Sequence, residues 1–171
     1  MSAPDRRPQA ASGFRDELVA SDVEAVREIV TSTRFFNPAE IDVAVELAEE
    51  RLAKGTASGY SFLLPDEPGP ARGYACYGPV PATAGRYDLY WIAVHAEHRG
   101  EGLGRRLLAA AEEAIAREGG LRVWVETSGR ALYEPTRAFY RACGYEEAAR
   151  LVDFYAVGDD KVVFVKHLAV D

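Results

Sequence analysis

Gly100, Gly102 and Gly104 recur at every second position between a hydrophobic run that ends at Val94 and a segment whose apolar residues, Leu103, Leu107, Leu108, Ala111 and Ile115, return at helical spacing. The pattern reads as strand, glycine turn, helix. Glycines at the mouth of a helix let the backbone approach a ligand and aim unpaired amide N–H groups outward, where the helix dipole also favours an anion. Arg99, Arg105 and Arg106 crowd the same helix start, where each opposes the dipole at a cost of about 0.3 kcal/mol or more. An incoming polyanion such as a phosphate offsets that cost. For a bare Gly-x-Gly the plain alternative is a tight turn with solvated arginines; the preceding strand and the arginine cluster argue for the anion. A dinucleotide turn wants Gly-x-Gly-x-x-Gly and an acid about 20 residues on. Here the spacing is Gly-x-Gly-x-Gly, and the nearest acid on the following strand, Glu126, stands out of place. No Gly-Lys-Ser/Thr follows, which excludes a P-loop.

The elements that must position this turn can be read in order. Residues 1–12, rich in Pro, Ala, Ser and charge, form a flexible tail, and residues 13–171 form a single domain. Phe14 to Ala20 is a first strand. Ser21-Asp-Val-Glu24 has the form of a capping box before Val23, Val26, Ile29 and Val30 at helical spacing. Asn37-Pro-Ala-Glu40 opens a second helix with Ile41, Val45, Ala48 and Leu52 on one face, stopped by Gly55. Strands follow at Gly59 to Leu64, Gly73 to Pro79 and Tyr87 to Val94, the first two joined through the turn-rich Pro65 to Pro70. After the helix from Gly102 to about Arg117, Gly119-Gly120 releases a strand over Leu121 to Thr127. Pro135 lies in the first turn of a short helix ended by Gly144, and strands at Tyr145 to Tyr155 and Val162 to Leu168 close the chain as a hairpin. The order β, α, α, three β, α, β, α, β, β predicts an α+β layered fold: a mixed, mainly antiparallel sheet with helices on both faces.

A length of 171 residues fits one domain with a sizeable core, and 48% apolar with 27% charged residues is an ordinary globular composition. A net charge of −7 argues against nucleic-acid binding, which usually needs a basic face, and suits solubility or a cationic substrate. Cys76 and Cys143 are too few for a disulfide framework and read as buried thiols, and no metal-ligand spacing surrounds them or His95, His98 and His167. No apolar run has signal-peptide or membrane-span length, so the expected compartment is a reducing cytoplasm, with no membrane association and no metal.

The segment Arg99-Gly-Glu-Gly102-Leu-Gly104, directly after a strand ending Ile-Ala-Val, resembles the Arg/Gln-x-x-Gly-x-Gly/Ala acetyl-CoA motif of the GNAT N-acetyltransferase superfamily. Glu126-Thr-Ser and Tyr133 through Tyr140 to Gly144-Tyr145 resemble the family's next strand and helix, so the likeness is specific from about Tyr87 to Tyr145. It implies the GNAT acyl-CoA N-acyltransferase fold. It also implies an acetyl-CoA-dependent N-acetyltransferase acting on a primary amine of a small molecule, amino acid or peptide by direct transfer. A catalytically silent acyl-CoA-binding sensor is the alternative, and family members are often dimers.

Carried over residue by residue, the resemblance implies a diphosphate on the N–H groups of the turn, with Arg99, Gly100, Glu101, Gly102, Leu103, Gly104 and Arg105 in the cofactor site. It places the pantetheine arm along Ile92, Ala93 and Val94, and adds Tyr133 and Thr136 to the cofactor's surroundings. Tyr140 stands where the family places its general acid, with packing as the alternative. A phenol protonating a thiolate is uphill by roughly 2 kcal/mol, so a strengthening hydrogen bond describes that role better than full transfer. Asp88, six residues before Val94, is a candidate base, with Glu126 and His95 as rivals and with no dedicated base as a further possibility. Under simple alternation Asp88 shares its side with Tyr90 and Ile92, unless a bulge intervenes. Tyr133 stands where many members have Asn and alters the acceptor channel wall; Ala96 replaces a common Pro. Phe35 and Phe36, between the first two helices, either contact the acceptor or staple the second helix.

Overall fold

The computed structural model describes residues 13–169, and the tail expected over residues 1–12 lies outside them. A seven-stranded sheet runs in the order β1-β2-β3-β4-β5-β7-β6. Its strands are β1 (Phe14–Arg15), β2 (Ser61–Pro65), β3 (Gly73–Pro79), β4 (Arg86–Val94), β5 (Arg122–Ser128), β6 (Glu146–Ala156) and β7 (Asp159–His167). The helices are α1 (Ala20–Thr33), α2 (Pro38–Lys54), α3 (Leu103–Arg117) and α4 (Glu134–Ala142). Element order and the mixed, mainly antiparallel sheet agree with the sequence reading; β4 and β5 form the parallel pair.

Each sheet face carries its own core. Val26, Ile29, Val30, Ala44 and Ala48 from α1 and α2 pack with Phe62, Leu64, Tyr74, Cys76 and Ala93. On the other face Leu103, Leu107, Leu108, Ala111 and Ile115 from α3 pack with Leu63, Ala75, Tyr77, Tyr87, Leu89, Val123 and Val125, joined by Tyr140 from α4. The apolar stripes of α1 and α2 thus pack on one side of the sheet and that of α3 on the other, although Leu52, read as part of the α2 stripe, is exposed.

Two local expectations are corrected. The first strand is only Phe14–Arg15, and α1 begins at Ala20, two residues before the start that the Ser21 box suggests. Its cap is Val19, whose N–H donates to Asp22 Oδ2 at 2.8 Å, and Arg15 closes on the same carboxylate at 2.6 Å. Asp22, paired across the cap, outcompetes the serine that precedes it. By contrast, α2 starts as predicted: Glu40 N–H donates to Asn37 Oδ1 at 3.0 Å and Asn37 N–H to Glu40 Oε2 at 2.8 Å.

The feature that matters for function is where β4 leaves β5. The two pair only from Arg86↔Arg122 to Leu89↔Val125. Beyond that point β4 continues along β3, while Glu126, Thr127 and Ser128 of β5 pair with β7. The register against β3 jumps from Cys76↔Trp91 to Tyr77↔Leu89, leaving Tyr90 as an extra residue on β4. Such a bulge bends its strand and increases the twist, which carries the end of β4 away from β5.

Candidate active site

The bulge also resets which way β4 side chains face. Tyr87 and Leu89 join the α3-side core, as do Ile92 and Val94 beyond the bulge, whereas Tyr90, Trp91 and Ala93 pack on the α1–α2 side. Asp88, alternating with its buried neighbours, therefore lies on the α1–α2 side with Tyr90 but opposite Ile92, which corrects the simple-alternation expectation. Glu126 alternates with Val125 in the same way and is exposed on that side of β5.

Asp88 is half-buried, and no side-chain hydrogen bond or ion pair from the described residues reaches its carboxylate. Burial raises its pKa above the ordinary aspartate value, and the nearby Glu126 charge raises it further. Glu126 is held by Lys161 at 2.8 Å. The ammonium of Lys161 also lies 3.8 Å from the Phe154 ring centroid, which brings the β6–β7 hairpin to this side of β5.

The edge of β4 from Tyr90 to Val94 that faces away from β3 has no pairing strand among the described residues. Backbone donors and acceptors on such an edge want an extended partner. Immediately beyond it the glycine turn opens α3. Gly100 and Gly102 hold left-handed φ angles of 81° and 78°, and the space where a Cβ would stand is open at both. Gly102 caps α3 with no side chain, and the first turn closes with Arg106 N–H on Gly102 O at 3.1 Å. The N–H groups of Leu103, Gly104 and Arg105 precede that bond and have no partner within the helix. A Cβ at Gly104 would lie 3.7 Å from Val94 Cγ2 and 3.8 Å from the Phe139 ring, so the end of β4, the start of α3 and α4 meet here. An unpaired strand edge running into a cradle of free N–H groups fits a ligand that has an extended amide-bearing arm ending in phosphates.

The other expected cofactor residues fall around this junction in different roles. Leu103 is buried, so it offers its backbone. Arg105 is exposed beside the turn and Thr136 is half-buried in the first turn of α4. Glu101 turns aside to Arg72 at 3.3 Å and His98 at 3.4 Å. Arg99 sends Nη2 to Thr33 O at 3.2 Å and stacks over Phe35 at 5.1 Å. Tyr133 is buried, and its hydroxyl donates to Phe35 O at 3.1 Å. Phe36 packs tilted against Trp91 with centroids 5.1 Å apart.

Tyr140 is 4% exposed, its ring packed against Phe139, Tyr145 and Phe164. Burial pushes its phenol pKa well up. Sequence reading passed over Arg137, which is 5% exposed and donates to Ser128 O at 2.7 Å and Arg130 O at 2.9 Å while pairing with Glu134 at 2.6 Å. It ties the start of α4 to the end of β5. The Glu134–Arg137 spacing, one helical turn, was its visible signal.

Among the described residues, no group of three or more His, Cys, Asp or Glu is arranged to hold a metal, and no helix is long and apolar enough to cross a membrane. Cys76 is a buried free thiol; Cys143 is free but only half-buried.

The sheet thus parts between β4 and β5, and the glycine turn caps α3 at the parting. Residues 58–147 match the acetyltransferase (GNAT) domain family, and the chain belongs to it. A GNAT-family protein from Desulfovibrio desulfuricans is 47% identical in sequence, with a TM-score of 0.89 over 91% of this chain and 98% of that one. The L-amino acid N-acyltransferase MnaT of Escherichia coli K12 is 32% identical over 94 residues, 52% of this chain. The chain spans about half the length of that curated relative, the match covering 55% of it. An aminoglycoside 6'-N-acetyltransferase complexed with coenzyme A shares the fold at 16% identity, with a TM-score of 0.74 over 91% of this chain and 97% of that one.

Proposed function

We propose that the protein is an acetyl-CoA-dependent N-acetyltransferase that moves an acetyl group directly to a primary amine of a small molecule, amino acid or peptide. The observation that carries this reading is the unpaired edge of β4, Tyr90–Val94, leading into the open N–H groups at the start of α3. The coenzyme's pantetheine arm would add to that edge as a short strand, and its diphosphate would lie on the turn. Amine acceptors are favoured by the MnaT relative, named for amino acids, and by Asp88, a half-buried carboxylate without a side-chain partner among the described residues.

When bound, acetyl-CoA supplies an activated thioester carbonyl. Asp88 takes a proton from the acceptor ammonium, directly or through water, and its raised pKa makes it a better base than an ordinary aspartate. The freed nitrogen attacks the carbonyl carbon, a new C–N bond replaces the C–S bond, the electron pair leaves on sulfur, and the nitrogen's surplus proton passes to solvent. The backbone N–H near Val94 stabilises the carbonyl oxygen as charge develops there. Tyr140 answers the departing thiolate; because burial makes its proton hard to lose, it acts as a hydrogen-bond donor that strengthens with the charge.

The test is thiol release from acetyl-CoA across a panel of amino acids, aminoacyl peptides and simple amines. The reading expects release that depends on the amine and yields N-acetylated product. Coenzyme binding with no release on any amine would favour the sensor alternative, and no binding would remove both.

A further inference from the structure

The link between α1 and α2 is fastened from both lips of the parting. On the β4 side, Arg99 donates to Thr33 O at 3.2 Å and lays its guanidinium over Phe35 at 5.1 Å. Ala96 N–H adds a bond to Ser32 Oγ at 3.0 Å. On the β5 side, Tyr133 donates to Phe35 O at 3.1 Å, and the two rings stand 5.6 Å apart. Arg99 belongs to the turn between β4 and α3, and Tyr133 to the connection between β5 and α4, so Phe35 is gripped from two elements that otherwise diverge. Within the link, Arg34 is in a left-handed conformation at φ 58° and Phe36 packs on Trp91, whereas the half-buried Phe35 ring is met by Arg99 and Tyr133.

The residue types suit this grip. Thr33 ends α1, where the helix dipole presents negative charge to a cation. Arginine can bond that carbonyl with one arm of its fork while its plane covers a ring; lysine has neither fork nor plane. Tyr133 supplies an aromatic face and a donor at once. Arg99 thus has its side chain committed to the acceptor side, while the N–H groups that follow it remain free for phosphate.

We propose that Arg99 and Tyr133 are positioning residues that together hold Phe35 as a wall of the acceptor site, so that acceptor recognition, and not coenzyme affinity, depends on the Arg99 side chain. The inference rests on the acetyl-transfer reading for the word acceptor, but the grip itself can be measured without turnover.

The experiment compares wild type with Arg99→Lys, Tyr133→Phe and the double variant in three readouts: acetyl-CoA affinity by calorimetry, kcat and acceptor KM by thiol release, and amide hydrogen exchange over residues 31–37. Each single variant should keep acetyl-CoA affinity within about twofold and raise acceptor KM about 5-fold, with kcat moving less, the size expected for one lost hydrogen bond. Exchange over 33–37 should quicken by a similar factor. Because both residues act through Phe35, the double variant should cost less than the product of the singles. A tenfold loss of acetyl-CoA affinity in Arg99→Lys with acceptor KM and exchange unchanged would assign the side chain to the diphosphate and overturn the proposal. If no amine is acetylated by wild type, the transfer reading fails while the exchange still judges the grip: unaltered exchange in both variants overturns it.

Discussion

The Asp88 carboxylate has lost water without gaining a partner, and that governs how the enzyme should respond to pH. Its raised pKa means that the basic form disappears as pH falls through a value above the ordinary aspartate range, so transfer should decline there. Burial is the larger cause and the Glu126 charge the second. Removing that charge in Glu126→Gln lowers the Asp88 pKa, and the acid limb of the kcat/KM profile should move to lower pH; a limb that stays put would separate the two residues or disqualify Asp88. Asp88→Asn should cut kcat by about 100-fold with acetyl-CoA affinity kept, as expected for loss of a general base. Tyr140→Phe preserves the packing against Tyr145 and Phe164, so its expected loss of about 10-fold in turnover would report the hydroxyl alone. Unchanged turnover would reduce Tyr140 to core filling. At this scale the sequence revealed Asp88 as an acid in a strand but not its face, since the bulge at Tyr90 leaves no mark in a run of mostly apolar residues. Tyr133 was visible as a departure from the family pattern, and its bond to Phe35, made between residues far apart in the chain, was not.

Among the elements, the stretch from β4 into α3 was legible because it is local. Strand, glycines and helix follow one another, and each is decided by neighbours in sequence. The parting of β4 from β5 was not legible, because it depends on register between strands separated by a whole helix. Gly102→Glu should abolish coenzyme binding in a calorimetric titration. The position has open space around it but a left-handed backbone, so the variant brings both strain and a negative charge where phosphate is to lie; retained affinity would place the phosphate elsewhere. The start of α1 makes an independent prediction about stability. Burial works to raise the Asp22 pKa, but Arg15 and the Val19 N–H outweigh it and hold the pKa below the ordinary 3.8. A depressed pKa contributes stability that is fully present above the unfolded value and is lost as pH falls through the folded one. Asp22→Asn should therefore lower unfolding stability by about 2 kcal/mol at neutral pH, and the difference from wild type in urea melts should shrink below pH 3.8. The capping signal at Ser21 misled because nothing local announces that Arg15 will reach Asp22.

For the molecule as a whole, two cores on opposite sides of one sheet leave the parting between β4 and β5 as the place where a ligand can complete the structure. A net charge of −7 is ill suited to attracting a polyanion from a distance, so the proposed coenzyme binding relies on the strand edge and the N–H cradle. Ligand that binds the folded state should also stabilise it: at 100 times Kd acetyl-CoA adds about 2.7 kcal/mol, which for a chain of this size corresponds to a rise in Tm of about 5–10 °C. Overall charge and composition gave the sequence reading its exclusions, and topology gave the structure its site. The measurement that tests the central claim most directly is calorimetric titration of the protein with acetyl-CoA, CoA and ATP in parallel. The strand edge and the turn together predict one site per chain for each of the two coenzyme A species and none for ATP, which has the phosphates but no pantetheine arm. Equal binding of ATP, or no binding of acetyl-CoA, would contradict it.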